Sequence, residues 1–203
     1  MTVTEAQFQA FQKQLLRPLG GRLINRESAY EMGLIARLFD FLHELGLPLP
    51  PREEFLNGYA TTLGPMVYLP SGWDPTTKLI TLVHEAEHVS QWNTGEFDDD
   101  VGIAGHFDMA FLYLTSGQAR VRLEQRAARA AGEFIHAVSD LPRLPSIAEA
   151  TRFLEAGYLL GGEDLAFAND LAVHWLTEVG HGMYDTTAGR EAIRVAQTLG
   201  IRL

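Results

Sequence analysis

Two histidines one helical turn apart, His84 and His88, sit in the run from Leu79 to Trp92 with Glu85 between them, the pattern His-Glu-x-x-His. On a helix each residue advances about 100°, so the two imidazoles lie about 40° apart and can grip one zinc ion. Glu85, about 60° from His88, can reach a water on that ion. Leu79, Leu82, Val83, Ala86 and Val89 fall on the opposite arc and would pin the helix into a core. Upstream, Asp74 is a natural N-cap and Pro75 suits the first helical position.

A zinc ion that does chemistry keeps three protein ligands and one open position. The chain has no cysteine, so the third ligand must be a histidine or a carboxylate. Position 94 is threonine, which excludes a third histidine six residues after His88. Glu124 is the leading candidate, because Ala127, Ala128 and Ala131 make one side of its helix small enough to press against the metal helix. Arg120, one turn earlier, is placed to orient or neutralise that carboxylate. His106, Asp108 and Glu133 are the other candidates. An oxyanion formed during hydrolysis would need a donor, sought among Tyr158, His174, His181 and Tyr184. His174, Glu178 and His181 share a spacing that would suit a second metal, but Gly180 should end that helix before His181.

His-Glu-x-x-His followed by a glutamate on a later helix resembles the gluzincin metallopeptidases. The segment from Phe111 through Arg120 and Glu124 to Ala127 looks like the ligand helix of minimal bacterial and phage zincin-like proteins. The continuation Val89-Ser90-Gln91 is similar to theirs as well. The resemblance spans about residues 59 to 131, and the Asn-Glu-x-x-x-Asp ligand motif of the thermolysin type is absent. It implies that His84, His88 and Glu124 bind zinc and that Glu85 is the general base.

The elements that must position these residues are mostly helical. Periodicity predicts helices over 5–17, from Ser28 to Gly46 with Ser28 and Glu31 as a capping box, 103–116, 118–136, 146–156, 163–179 and 188–199. Asn57-Gly58 and Gly64-Pro65 read as two turns of a short antiparallel meander just before the metal helix. A free strand edge there could pair with an extended peptide. The aspartates at 98–100 read as a solvated acidic loop. The expected fold is mainly α (α+β), a zincin-like helical domain with a small antiparallel sheet. Residues 1–203 are expected to form one domain: a helical scaffold over 1–50, a sheet and metal core over 51–136, and a helical part over 137–203.

A 203-residue chain with 46% apolar and 21% charged residues can bury a substantial core, which argues against disorder. Its net charge of −10 is the wrong sign for a phosphate-binding surface, so nucleic acid is not an expected partner. Nothing approaches the roughly eighteen apolar residues of a membrane span, and the first residues do not read as a signal peptide. The default expectation is cytoplasmic, with delivery by a secretion or phage machine left open. The expected function is zinc-dependent hydrolysis of a peptide or protein substrate. The competing expectation is an interaction or effector module whose metal is structural or vestigial.

Overall fold

The computed structural model describes residues 2–44, 51–94, 116–140, 144–151 and 162–203, the side chains of 28, 38, 39, 42 and 43 excepted. The architecture is mainly helical with a small three-stranded mixed sheet. Elements run α1 (Glu5–Leu16), β1 (Arg22–Asn25), α2 (Tyr30–Glu44), α3 (Arg52–Gly58), β2 (Thr61–Leu63), β3 (Met66–Leu69) and α4 (Pro75–Thr94). They continue as α5 (Gly117–Val138), α6 (Gly162–Gly180) and α7 (Thr187–Leu199).

The histidine-bearing helix is α4. Asp74 starts it, its Oδ1 accepting from the backbone N–H groups of Thr76 at 3.0 Å and Thr77 at 3.1 Å, with Pro75 next. Leu79, Leu82, Val83, Ala86 and Val89 are fully buried. They join a core with Phe8, Phe11 and Leu15 of α1, Val67 of β3, Phe134 of α5 and Val195 of α7. Residues from both ends of the chain therefore hold the back of α4.

The sheet differs from the expected antiparallel meander. Its order is β1-β3-β2, with β1 parallel to β3 and β2 antiparallel to β3. Residues 52–58, read as strand and turn, form α3 instead: Pro51 precedes it, Glu53 and Glu54 occupy its first turn, and Phe55 is buried. Asn57-Gly58 therefore ends a helix. The hairpin turns at Gly64, whose φ of +58° suits glycine, and the Trp92 indole lies 3.2 Å from where a Cβ would sit. That contact locks the β2–β3 turn onto the last turns of α4.

The second helix starts later than Ser28, whose side chain lies outside those described. Residues 26–28 make a short 3-10 turn, α2 begins at Tyr30, and Glu31 accepts a 2.5 Å hydrogen bond from the Tyr68 hydroxyl. On α5, the fully buried small residues are Ala127 and Ala130, with Ala128 and Ala131 only half-buried. Gly132 gives the Trp175 ring room, since an added Cβ would lie 2.8 Å from it.

Two carboxylates, Glu87 and the alternative ligand candidate Glu133, are buried and dock α7. Glu87 accepts from Arg126 Nε at 2.8 Å and from the Ala188 backbone N–H at 2.9 Å. Glu133 accepts from Arg129 Nε at 2.9 Å and from the backbone N–H of Asp185 at 3.0 Å. Both place negative charge at the positive end of α7. The expected helix at 103–116, the aspartates at 98–100 and the end of the 146–156 helix lie outside the described residues. Among the described residues no helix is long and apolar enough to cross a membrane.

Candidate metal centre

One turn separates His84 from His88 on α4, and their rings stand edge-on, 4.9 Å apart at 81°. Glu124 projects from α5 between them. Its Oε2 lies 3.2 Å from His84 Nε2 and 3.5 Å from His88 Nε2. The three ligand atoms all fall within 4.8 Å of one another. A tetrahedral ion with bonds of about 2.0–2.1 Å spaces its ligands roughly 3.3–3.4 Å apart, so both measured separations match a tetrahedral edge. This buried His84, His88 and Glu124 group can hold a metal ion.

The histidines are aimed from behind. Gln91, one turn past His88, places its Oε1 2.9 Å from His88 Nδ1, while its amide Nε2 donates to the Leu123 carbonyl at 3.2 Å. Because the amide nitrogen is committed to a carbonyl, Oε1 must accept, which fixes a proton on Nδ1 and leaves Nε2 to the ligand side. The same bond ties α4 to the residue just before Glu124. We expect Gln91→Leu to weaken metal binding by about 10–100-fold with the fold retained. Competition with a chelating dye measures this, and unchanged affinity would refute the role.

Glu85 is only 6% exposed, and its Oε2 accepts a 2.7 Å hydrogen bond from the Thr62 hydroxyl of β2. One carboxylate oxygen is thereby held, and the carboxylate is fixed between α4 and the sheet.

The metal-free site carries a strong internal ion pair. Burial disfavours a charged His88, but the Glu124 charge and hydrogen bond, with help from Glu85 and Gln91, outweigh it and push His88 up to about 9. Burial likewise disfavours ionised Glu124, yet the charges and hydrogen bonds of His88 and His84 hold it well below the usual carboxylate range. His88 is raised, so its contribution to metal-free stability is present below about pH 6.5 and is lost as pH rises through about 9. Glu124 is lowered, so its contribution is present above its unfolded value and is lost in acid. A metal must displace the His88 proton. Uptake near pH 7 should release about one proton per ion, and affinity should climb with pH toward 9. Calorimetry in buffers of different ionisation enthalpy checks this; a proton count near zero would contradict it.

Other expected site residues are placed elsewhere. Arg120 does not brace Glu124: its Nε is buried without a hydrogen-bond partner, and the charges that hold Glu124 ionised are those of the two imidazoles. Glu133 docks α7 and is not a ligand. His174 is largely exposed and pairs with Glu178 at 3.2 Å. His181 lies exposed just beyond the end of α6, outside the three-ligand group. The Tyr184 hydroxyl is 2.7 Å from His136 Nδ1. His106, Asp108 and Tyr158 lie outside the described residues. Sequence reasoning gave no role to Thr62, and it noted Gln91 only as part of a similar run. The signal for Gln91 was present, three residues after His88 on the same helical face.

No protein-family model matches the chain, and neither the curated proteins nor the solved structures give a match.

Proposed function

We propose that this chain is a zinc-dependent peptide-bond hydrolase of the gluzincin kind, with His84, His88 and Glu124 as ligands and Glu85 as general base. The observation that carries it is the convergence of the three ligand atoms at tetrahedral-edge separations with a held carboxylate beside them. Two imidazoles and one carboxylate form a donor set that suits zinc and leaves a fourth position for water or substrate. Zinc there supplies Lewis acidity toward a carbonyl and makes water more acidic near neutral pH.

Glu85 takes a proton from the attacking water and passes it to the departing amine nitrogen. Thr62 keeps that carboxylate in place through the transfer. Gln91 holds His88 with Nε2 facing inward. β2 forms one edge of the sheet among the described residues and adjoins Glu85 through Thr62. An extended peptide pairing along that edge would bring its backbone beside the general base.

The test joins elemental analysis to an assay on an unfolded protein substrate. We expect about one zinc per chain, together with hydrolysis that stops with chelator and returns with zinc. Stoichiometric zinc without hydrolysis would favour the interaction-module reading, and absence of zinc would remove both.

A further inference from the structure

Arg26, at the end of β1, is a buried cation with no carboxylate against it. It is 4% exposed, and its Nη1 and Nη2 donate to the carbonyls of Tyr59 and Phe55, the latter at 2.9 Å. The guanidinium also lies over the Phe55 ring, 4.8 Å from its centroid. Its Nε is buried and has no hydrogen-bond partner. Among the described residues no carboxylate forms an ion pair with it. Burial lowers this guanidinium's pKa, and the more distant charge of Glu85 opposes that. Buried charges in proteins are normally paired, because an uncompensated ion loses several kcal/mol of hydration. Two carbonyls take two of the five Arg26 N–H donors and do not neutralise its charge.

Arg26 lines a cavity of about 440 Å³, the size range of small-ligand sites. Arg52 is at its rim, Trp73 forms part of its wall, and Gly33 of α2 borders it. Among the described residues Glu27 is the one carboxylate in the lining, and the Ser71 hydroxyl donates to it. The cavity therefore holds two guanidinium groups against one carboxylate in a chain whose net charge is −10. It also adjoins the strand proposed to carry substrate: Arg26 grips the Tyr59 carbonyl, two residues before Thr61 opens β2.

We propose that this cavity is a subsite for a carboxylate group of a peptide lying along β2, with Arg26 as the counter-charge. The shared chemistry is a planar carboxylate, which a guanidinium recognises better than a point charge does. It comes from an acidic side chain or from a peptide's C-terminus. The placement along β2 rests on the hydrolase reading, whereas carboxylate binding in the cavity does not.

The experiment reads binding, so it is independent of turnover. Acetylglutamate amide, acetylglutamine and acetylglutamine amide are titrated calorimetrically into the full chain at low salt, with and without zinc. We expect at least one carboxylate-bearing probe to bind tenfold or more tighter than the uncharged amide. Preference for acetylglutamate amide assigns the side-chain source, and preference for acetylglutamine assigns the C-terminus. Arg26→Gln should erase the difference. Because Arg26 also braces the chain at Phe55 and Tyr59, Gly33→Leu is the companion variant. A Cβ at Gly33 meets nothing within 4 Å, so a leucine there starts in open space at the cavity wall and takes up part of its volume. It should abolish binding without lowering the melting temperature, since glycine is the poorer helix former inside α2. Equal binding of all three probes, or a carboxylate preference that survives Gly33→Leu, would overturn the subsite. If the preference holds while zinc-dependent hydrolysis is never seen, the subsite stands and the hydrolase reading falls.

Discussion

Under the proposed hydrolase function, Glu85→Gln is expected to retain zinc and fold while hydrolysis drops by about 10²–10⁴-fold or more. The amide is nearly the size of the carboxylate, and its carbonyl can still accept from the Thr62 hydroxyl that now holds Oε2 at 2.7 Å. It cannot take a proton from water. The three candidate ligands are other residues, so elemental analysis should still find about one ion per chain. Single-turnover assays on an unfolded protein substrate measure the loss. A variant as fast as the parent would end the general-base role. A variant that lost zinc would mean that Glu85 is itself part of the metal cage.

Glu124→Ala acts on binding in place of chemistry. It removes the single carboxylate of the group, and the two imidazoles on α4 cannot by themselves fill a three-ligand set. Removing an outer partner of a ligand weakens metal binding by about 10–100-fold; removing Glu124 should exceed that range, and hydrolysis should fall with zinc occupancy. The metal-free protein also changes, because His88 loses the charge that pushes it up to about 9. Proton release on metal uptake near pH 7 should shrink accordingly. Arg120→Met is the control: Arg120 does not pair with Glu124, so zinc affinity should stay within error. Dye-competition titrations settle both. Parent-like affinity in Glu124→Ala would show that the third ligand has been misassigned, and a large loss in Arg120→Met would show that Arg120 supports the site after all.

The parts of this molecule written in local sequence were readable from it. Asp74 and Pro75 lie in sequence beside the turn they start, and the apolar positions behind His84 and His88 share one helical phase. The pairing of α4 with α5 was inferable because Glu124 sits on a helix with a small side, although Ala127 and Ala130 are the residues that face the core. What depended on distant partners was not readable. β1 is four residues long and gains its place by parallel pairing with β3, more than forty positions away. Asn57-Gly58 carries a hairpin signal, yet Pro51, Glu53 and Glu54 make the preceding residues a competent helix, and the helix won. The docking roles of Glu87 and of Glu133, a ligand candidate by sequence, were not readable because nothing nearby in sequence shows the amides at the start of α7 that donate to them. Arg120 shows the converse: among the described residues it forms no ion pair with Glu124 despite its proximity along α5.

Glu87 lies between the two ligand histidines in sequence and points away from them, into Arg126 and the start of α7. The rotation of α4 about its own axis is thus fixed in part by a helix that contributes nothing to the candidate metal group. Loosening α7 would let both imidazoles swing out together. Heating should therefore release the ion in the same transition that melts helical structure, with a metal-sensitive dye and far-ultraviolet dichroism tracing one superimposable curve.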